Sequence, residues 1–188
     1  FAPAANGRLV YNSLIEQIAA KDRSFGDVWD IVAFKGNIYF RSPKKIFKFT
    51  ERAVAVFNAP SEWDYLGECN GKLYAHDYTT GLLKFENDIW APVFAENILP
   101  VNDPVTAIIS IQKDSAIIST LKNGLFVLSD TRISILQSAN NQLFKNERVY
   151  AGTSINKEWI TLATNNNGIY ITDTRGNIIQ SFTRTEGL

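Results

Sequence analysis

One pattern returns at a fixed spacing in this chain and restricts its fold more than any other feature. The stretch Ile117 to Asp130 (IISTLKNGLFVLSD) recurs as Ile160 to Asp173 (ITLATNNNGIYITD). In each copy an apolar strand ends in Thr, three residues follow, and Gly opens a second strand. Thr120 and Gly124 thus reappear 44 residues later as Thr164 and Gly168. Self-similarity at ~40 to 45 residues in strand-only units points to propeller blades.

Two further units share the same order of strands. Their third strands align at Phe47, Leu83, Phe126 and Tyr170, in steps of 36, 43 and 44 residues. Lys45 stands in the first unit where the others have Gly81, Gly124 and Gly168. Short connections (KGN, NG, QKD, NKE) join each first strand to its second, and Asn70-Gly71 is the strongest hairpin signal among them. Each unit therefore predicts a four-stranded antiparallel meander. Such a sheet, apolar on both faces, must be covered by neighbours on both sides. A β-sandwich is the competing architecture, and the regular return of one pattern argues against it. The expectation is all-β: a β-propeller fragment of about four blades, spanning 27–59, 60–97, 98–138 and 139–188.

Residues 1–26 are expected to complete a preceding blade with a strand at Arg8 to Tyr11 and a short helix. Ser13 and Glu16 there have capping-box spacing, and Leu14, Ile15 and Ile18 share a helical face. The connections at 21–26, 95–104 and 137–148 are expected to be loops.

Charge excludes some partners. Lys plus Arg and Asp plus Glu number 19 each, so the chain has no basic footprint for nucleic acid or an anionic membrane surface. No apolar run is long enough to span a bilayer. One Cys and one His leave no internal disulfide and no Cys/His metal site, and no cofactor motif is present. The chain begins at Phe1 and has no Met, which predicts a processed chain or a piece of a longer one.

The Thr-x-x-x-Gly-Leu run of Thr120 to Leu125 and its echo from Thr164 to Ile169 resemble the two-component regulator propeller repeats, found chiefly in Bacteroidetes. GRLVYNSLIEQ (Gly7 to Gln17), DVWDIV and NIYFRS resemble the region of those proteins just before their last blades. GNIIQSFTRTEGL (Gly176 to Leu188) resembles the hand-over to a following repeat or three-tyrosine domain. The match departs at Ile118-Ser119 and Leu162-Ala163, where many such repeats carry Trp-x-Gly before the threonine. The resemblance implies a periplasmic sensor region, often associated with glycan fragments, in a ring of more than four blades. Four blades alone would form an open arc. Its end faces would then meet the rest of the propeller or another copy.

The residues supply no catalytic set: no nucleophile motif, metal cluster or spaced carboxylate pair. The expectation is a non-enzymatic sensor; a scaffold for protein contacts and, behind it, a glycoside-acting enzyme are the alternatives. Asp64 and Glu68 are expected to line the central channel. His76 is expected in a surface loop, Cys69 in packing, and Trp29, Trp90 and Trp159 between blades. Loops joining second to third strands, and one blade to the next, share a face of the disc and carry function more often than hairpins. Arg41, Trp63, Tyr65, His76 and Tyr78 lie there and are the candidate ligand-binding residues, with Trp63 nearest a binding surface.

Overall fold

The computed structural model describes residues 2–95 and 98–183. The expected hand-over segment lies outside the described residues from position 184 on. A small hairpin of β1 (Ala2–Pro3) and β2 (Leu9–Val10) precedes two 3-10 turns, Ile15–Gln17 and Ala20–Asp22. Ser13 accepts the Ile15 backbone N–H through its hydroxyl at 3.3 Å, but no side chain caps the turn that follows. The expected capping box is thus replaced by a tighter, local serine turn.

Four four-stranded antiparallel sheets follow. The first comprises β3 (Asp30–Phe34), β4 (Asn37–Arg41), β5 (Lys45–Phe49) and β6 (Val54–Asn58). The second comprises β7 (Trp63–Cys69), β8 (Lys72–Asp77), β9 (Gly81–Glu86) and β10 (Ile89–Pro92). The third comprises β11 (Val105–Gln112), β12 (Ser115–Thr120), β13 (Gly124–Ser129) and β14 (Ile133–Ile135). After α1 (Asn141–Glu147) comes the fourth: β15 (Val149–Ser154), β16 (Trp159–Thr164), β17 (Gly168–Asp173) and β18 (Ile178–Phe182). Each is a meander in chain order, as the repeat predicts.

The recurring Thr-x-x-x-Gly has a local cause. Thr120 accepts the Asn123 N–H at 3.2 Å and donates to the Gly124 carbonyl, and Thr164 does the same with Asn167 and Gly168. Gly124 and Gly168 sit at φ +78° and +98°, where a Cβ is disfavoured. Asn70 and Gly71, at φ +53° and +69°, form the two-residue turn their sequence announces.

First strands pack side by side in the order β3, β7, β11, β15. Buried apolar clusters fill the three gaps between consecutive sheets. Tyr39, Ile46, Trp63 and Leu73 lie in the first; Tyr74, Ile108, Ile118 and Phe126 in the second; Ile117, Leu125, Leu162 and Tyr170 in the third. Removal of apolar surface from water, which contributes ~25 cal/mol per Å², drives this stacking. The far face of the first sheet is covered in part by residues 11–28: Ile18 is buried and the Phe25 ring lies 4.7 Å from that of Phe47.

Residues 137–148, expected to be a loop, contain α1. Seven residues are too few to show helical periodicity, and docking holds this helix. Phe144 is fully buried beside Tyr170, at 5.8 Å between rings. Asn141 accepts the Leu125 N–H at 2.8 Å and donates to the Leu125 and Leu136 carbonyls.

Candidate functional site

The site begins with an irregularity that three blades share. The pairing of β7 with β8 slips between Trp63 and Tyr65, that of β11 with β12 between Val105 and Ala107, and that of β15 with β16 between Val149 and Ala151. Asp64, Thr106 and Tyr150 are therefore the extra residues of equivalent bulges, a device that re-aims a side chain at a strand end. All three line one cavity of about 610 Å³, where the inner strands of the four sheets converge.

Behind Asp64 stands His76, on β8 and almost wholly buried. Its Nδ1 lies 2.8 and 2.9 Å from the two carboxylate oxygens of Asp64, so Nδ1 carries the proton and donates. The expected surface loop is thus a buried strand end, because β8 runs one residue beyond His76. Nε2 of His76 is buried without a partner among the described residues. Burial pushes the Asp64 carboxyl above its usual range, against the opposing pull of His76, the Val105 backbone and Arg41. At the equivalent place in the third blade Thr106 and Ser119 bond through their hydroxyls at 2.8 Å, and in the fourth Tyr150 stands beside Ala163. The bulge itself therefore needs no charge, and the second blade alone carries a carboxylate and an imidazole there.

Arg41 closes the gap between the first two blades. Its guanidinium pairs with Asp30 and donates to the Trp63 carbonyl at 2.9 Å, while Asp30 also accepts the Leu66 N–H at 3.0 Å. Next to it Asp77 organises the loop that enters the second blade. Its carboxylate accepts the backbone N–H groups of Ser61, Glu62, Thr79 and Thr80 and the Ser61 hydroxyl. Burial would push this carboxyl up, but the bonds from Thr80, Ser61 and Thr79 outweigh it and hold the group far below the usual range.

Arg41, Trp63, Tyr65 and Tyr78 line the cavity, and His76 backs it through Asp64. Two of the tryptophan expectations exchange places. Trp63 is 2 % exposed, packed 5.7 Å from Trp90, and belongs to the core. Trp29 lies just ahead of β3, is 61 % exposed and lines the cavity. Trp159 is 42 % exposed rather than packed between blades, and Trp90 joins the core as expected. Hydrophobicity alone carries no sign of which face of a two-sided strand is covered, and this misled the reading of Trp63 and Trp29. Sequence reasoning missed Trp29 and Tyr150 as cavity residues; the aligned positions of Asp64, Thr106 and Tyr150 were the available signal.

Glu68, expected beside Asp64, lies at the hairpin end of β7, where it accepts the Gly71 N–H at 2.6 Å. Cys69 is a buried free thiol, pushed up to about 11 by burial. Among the described residues no cluster of three or more His, Cys, Asp or Glu is placed to hold a metal, and no helix is long and apolar enough to cross a membrane.

No protein-family model and no curated protein matches the chain. Solved structures do. The extracellular domain of the putative hybrid two-component system BT4673 from B. thetaiotaomicron superposes with a TM-score of 0.64 at 16% identity, over 86% of this chain and 22% of that one. The Pan2 WD40 domain of Neurospora crassa matches at 0.61 and 12% identity, over 84% and 50%, and BamB from Moraxella catarrhalis at 0.58 and 14%, over 81% and 48%. The chain thus spans about a fifth of the BT4673 domain. It is built of β-propeller blades, and it shares that fold with the extracellular domain of a Bacteroidetes two-component system, the family its sequence resembles.

Proposed function

We propose that the chain is part of a non-enzymatic, periplasmic sensor propeller of a two-component or transcriptional regulator, and that it binds a small ligand, an oligosaccharide among the candidates, at the mouth of its channel. One observation carries this reading: residues from all four blades, including Trp29, Tyr65, Tyr78 and Tyr150, line a single cavity of about 610 Å³. A concave, partly apolar cavity with a few converging polar groups is the usual form of a small-ligand site. The extracellular setting of the BT4673 domain supports the compartment.

The placement of Asp64 and Glu68 argues against that pair as glycoside-cleaving carboxylates. Asp64 and Glu68 are four positions apart on one extended strand, about 13 Å at ~3.3 Å per residue. Glycoside hydrolysis uses pairs roughly 5 to 9.5 Å apart.

Binding of an oligosaccharide panel, followed by calorimetry, tests the reading. Trp29→Ala combined with Tyr78→Ala is expected to abolish binding by a folded protein, and undiminished binding would refute the site. Turnover of the panel by the purified protein, lost in Asp64→Asn, would refute the non-enzymatic role.

A second reading, a scaffold for protein contacts, is favoured by the apolar end faces. Ile31 and Ile38 of the first sheet and Ile179 and Phe182 of the last are exposed. The rest of the propeller, or another copy, fits such faces.

A further inference from the structure

Charge around the channel mouth narrows the class of ligand. Among the described residues, the cavity lining includes three carboxylates, Asp30, Glu62 and Asp64, and one cation, Arg41. Arg41 is 7 % exposed, and its Nε and one Nη are bonded to Asp30 and the Trp63 carbonyl, so its charge is balanced by Asp30. Beside the lining, Lys44 donates to the Ser61 carbonyl at 2.8 Å and lies 3.5 Å from Glu62 in an exposed pair, and Lys122 donates to the Asn102 carbonyl. Asp64 faces no cationic side chain at bonding distance. Its partner is the imidazole of His76, and the equivalent bulges hold Thr106 and Tyr150, so packing does not demand this carboxylate.

Aromatic rings line the same cavity. Trp29 and Tyr150 are 61 % and 59 % exposed, far from the buried state that would account for them as packing residues. Tyr78 stands beside them, half-buried. Ring faces attract cations through their quadrupole, and low-dielectric walls concentrate the field of nearby carboxylates.

We propose that this cavity takes a ligand bearing a protonated amine: an amine group seated near Asp64 and Glu62, with its apolar body or sugar ring against Trp29 and Tyr150. The inference rests on the cavity being the ligand site, and it adds the sign of the ligand's charge. Uronates and sulfated glycans are thereby disfavoured. They would bring negative charge to a lining in which, among the described residues, carboxylates outnumber cations.

Three trisaccharides of similar size test this with the whole chain: one of glucosamine, its N-acetylated counterpart and one of galacturonic acid. The indole resonance of Trp29 is followed at low and high salt. The glucosamine trisaccharide is expected to bind at least ~10-fold more tightly than the acetylated one, and the margin to shrink with added salt. Glu62→Gln is expected to weaken it by about 2- to 5-fold, the scale of one exposed charge contact. Trp29→Ala, followed by calorimetry because it lacks the reporting indole, should abolish binding. Equal affinity for amine and acetyl forms, or preference for the uronate, with the Trp29 resonance displaced, would overturn the charge assignment and leave the site standing. A Trp29 resonance unmoved by all three would overturn both.

Discussion

His76 donates its Nδ1 proton to Asp64 across adjacent strands, at 2.8 and 2.9 Å from the two carboxylate oxygens, with both side chains nearly excluded from solvent. The bulge at Asp64 permits the contact. In a regular ladder Asp64 would project from the face opposite to Tyr65, and the extra residue turns it toward the partner of Tyr65, which is His76.

Removing one member of this pair leaves the other buried without its bond. His76→Ala is expected to cost about 2 kcal/mol, a fall of roughly 4 to 8 °C in Tm for a chain this size. The double change Asp64→Thr with His76→Ser installs the hydroxyl pair of the third blade and should recover most of the loss. Thermal unfolding of the single and double variants checks this; a double variant as unstable as the sum of its singles would show that the two positions do not interact.

Acid sensitivity should divide between two aspartates of opposite sign. Asp77 is held below its ordinary 3.8 by its hydrogen bonds, so the folded protein binds fewer protons than the unfolded chain. Its stabilisation is fully present above that value and is lost as the pH falls below it. Asp64 is raised by burial, so its contribution is greatest at low pH and declines as the pH rises from 3.8 through its folded value. Urea midpoints between pH 2 and 6 should therefore fall less steeply toward acid in Asp77→Asn than in the parent. In Asp64→Asn they should fall more steeply.

Gly67 makes room for the Tyr65 ring. A Cβ at position 67 would come within 2.6 Å of the Tyr65 ring carbon Cζ, and the Tyr65 phenol is itself bonded to the Ile108 backbone. Gly67→Ala should cost about 1 to 3 kcal/mol through overpacking. Adding Tyr65→Ala should cost less in that background than in the parent, and additive losses in chemical denaturation would contradict the proposed clash.

The two tryptophans of the mouth should separate cleanly. Trp63→Ala, in the core, is expected to cost about 3 to 5 kcal/mol, whereas Trp29→Ala should change stability by no more than about 0.5 kcal/mol. Comparable destabilisation by both in denaturant titrations would mean that Trp29 is a packing residue.

Asn141 anchors α1 through three bonds to Leu125 and Leu136. Asn141→Ala strands the buried Leu125 N–H on β13 and should cost about 1 to 3 kcal/mol. Hydrogen exchange at Leu125 should accelerate with it, and an unchanged rate would show that the helix is not what protects that amide.

The recurrence of Thr120-x-x-x-Gly124 at Thr164 and Gly168, and the turn at Asn70-Gly71, determined the architecture from sequence alone. Each rests on contacts within a few residues: a threonine hydroxyl closing its own turn, or a backbone angle that glycine tolerates. Strand order in the four meanders followed from the same local signals. Where each side chain points was decided only by tertiary structure. Trp63 and Trp29 are equally apolar in the sequence, and packing of the second sheet on the first buries one and leaves the other at the channel mouth. His76 lies between Ala75 and Asp77 in a stretch that reads as a loop, and only the bulge opposite it brings Asp64 within reach. Seven residues of α1 carry no periodicity of their own, and Phe144 and Asn141 hold them through contacts with strands far away in the chain. Local turns are written into neighbouring residues; burial and the partners of a buried charge depend on which surfaces meet, and that is settled only when the blades stack.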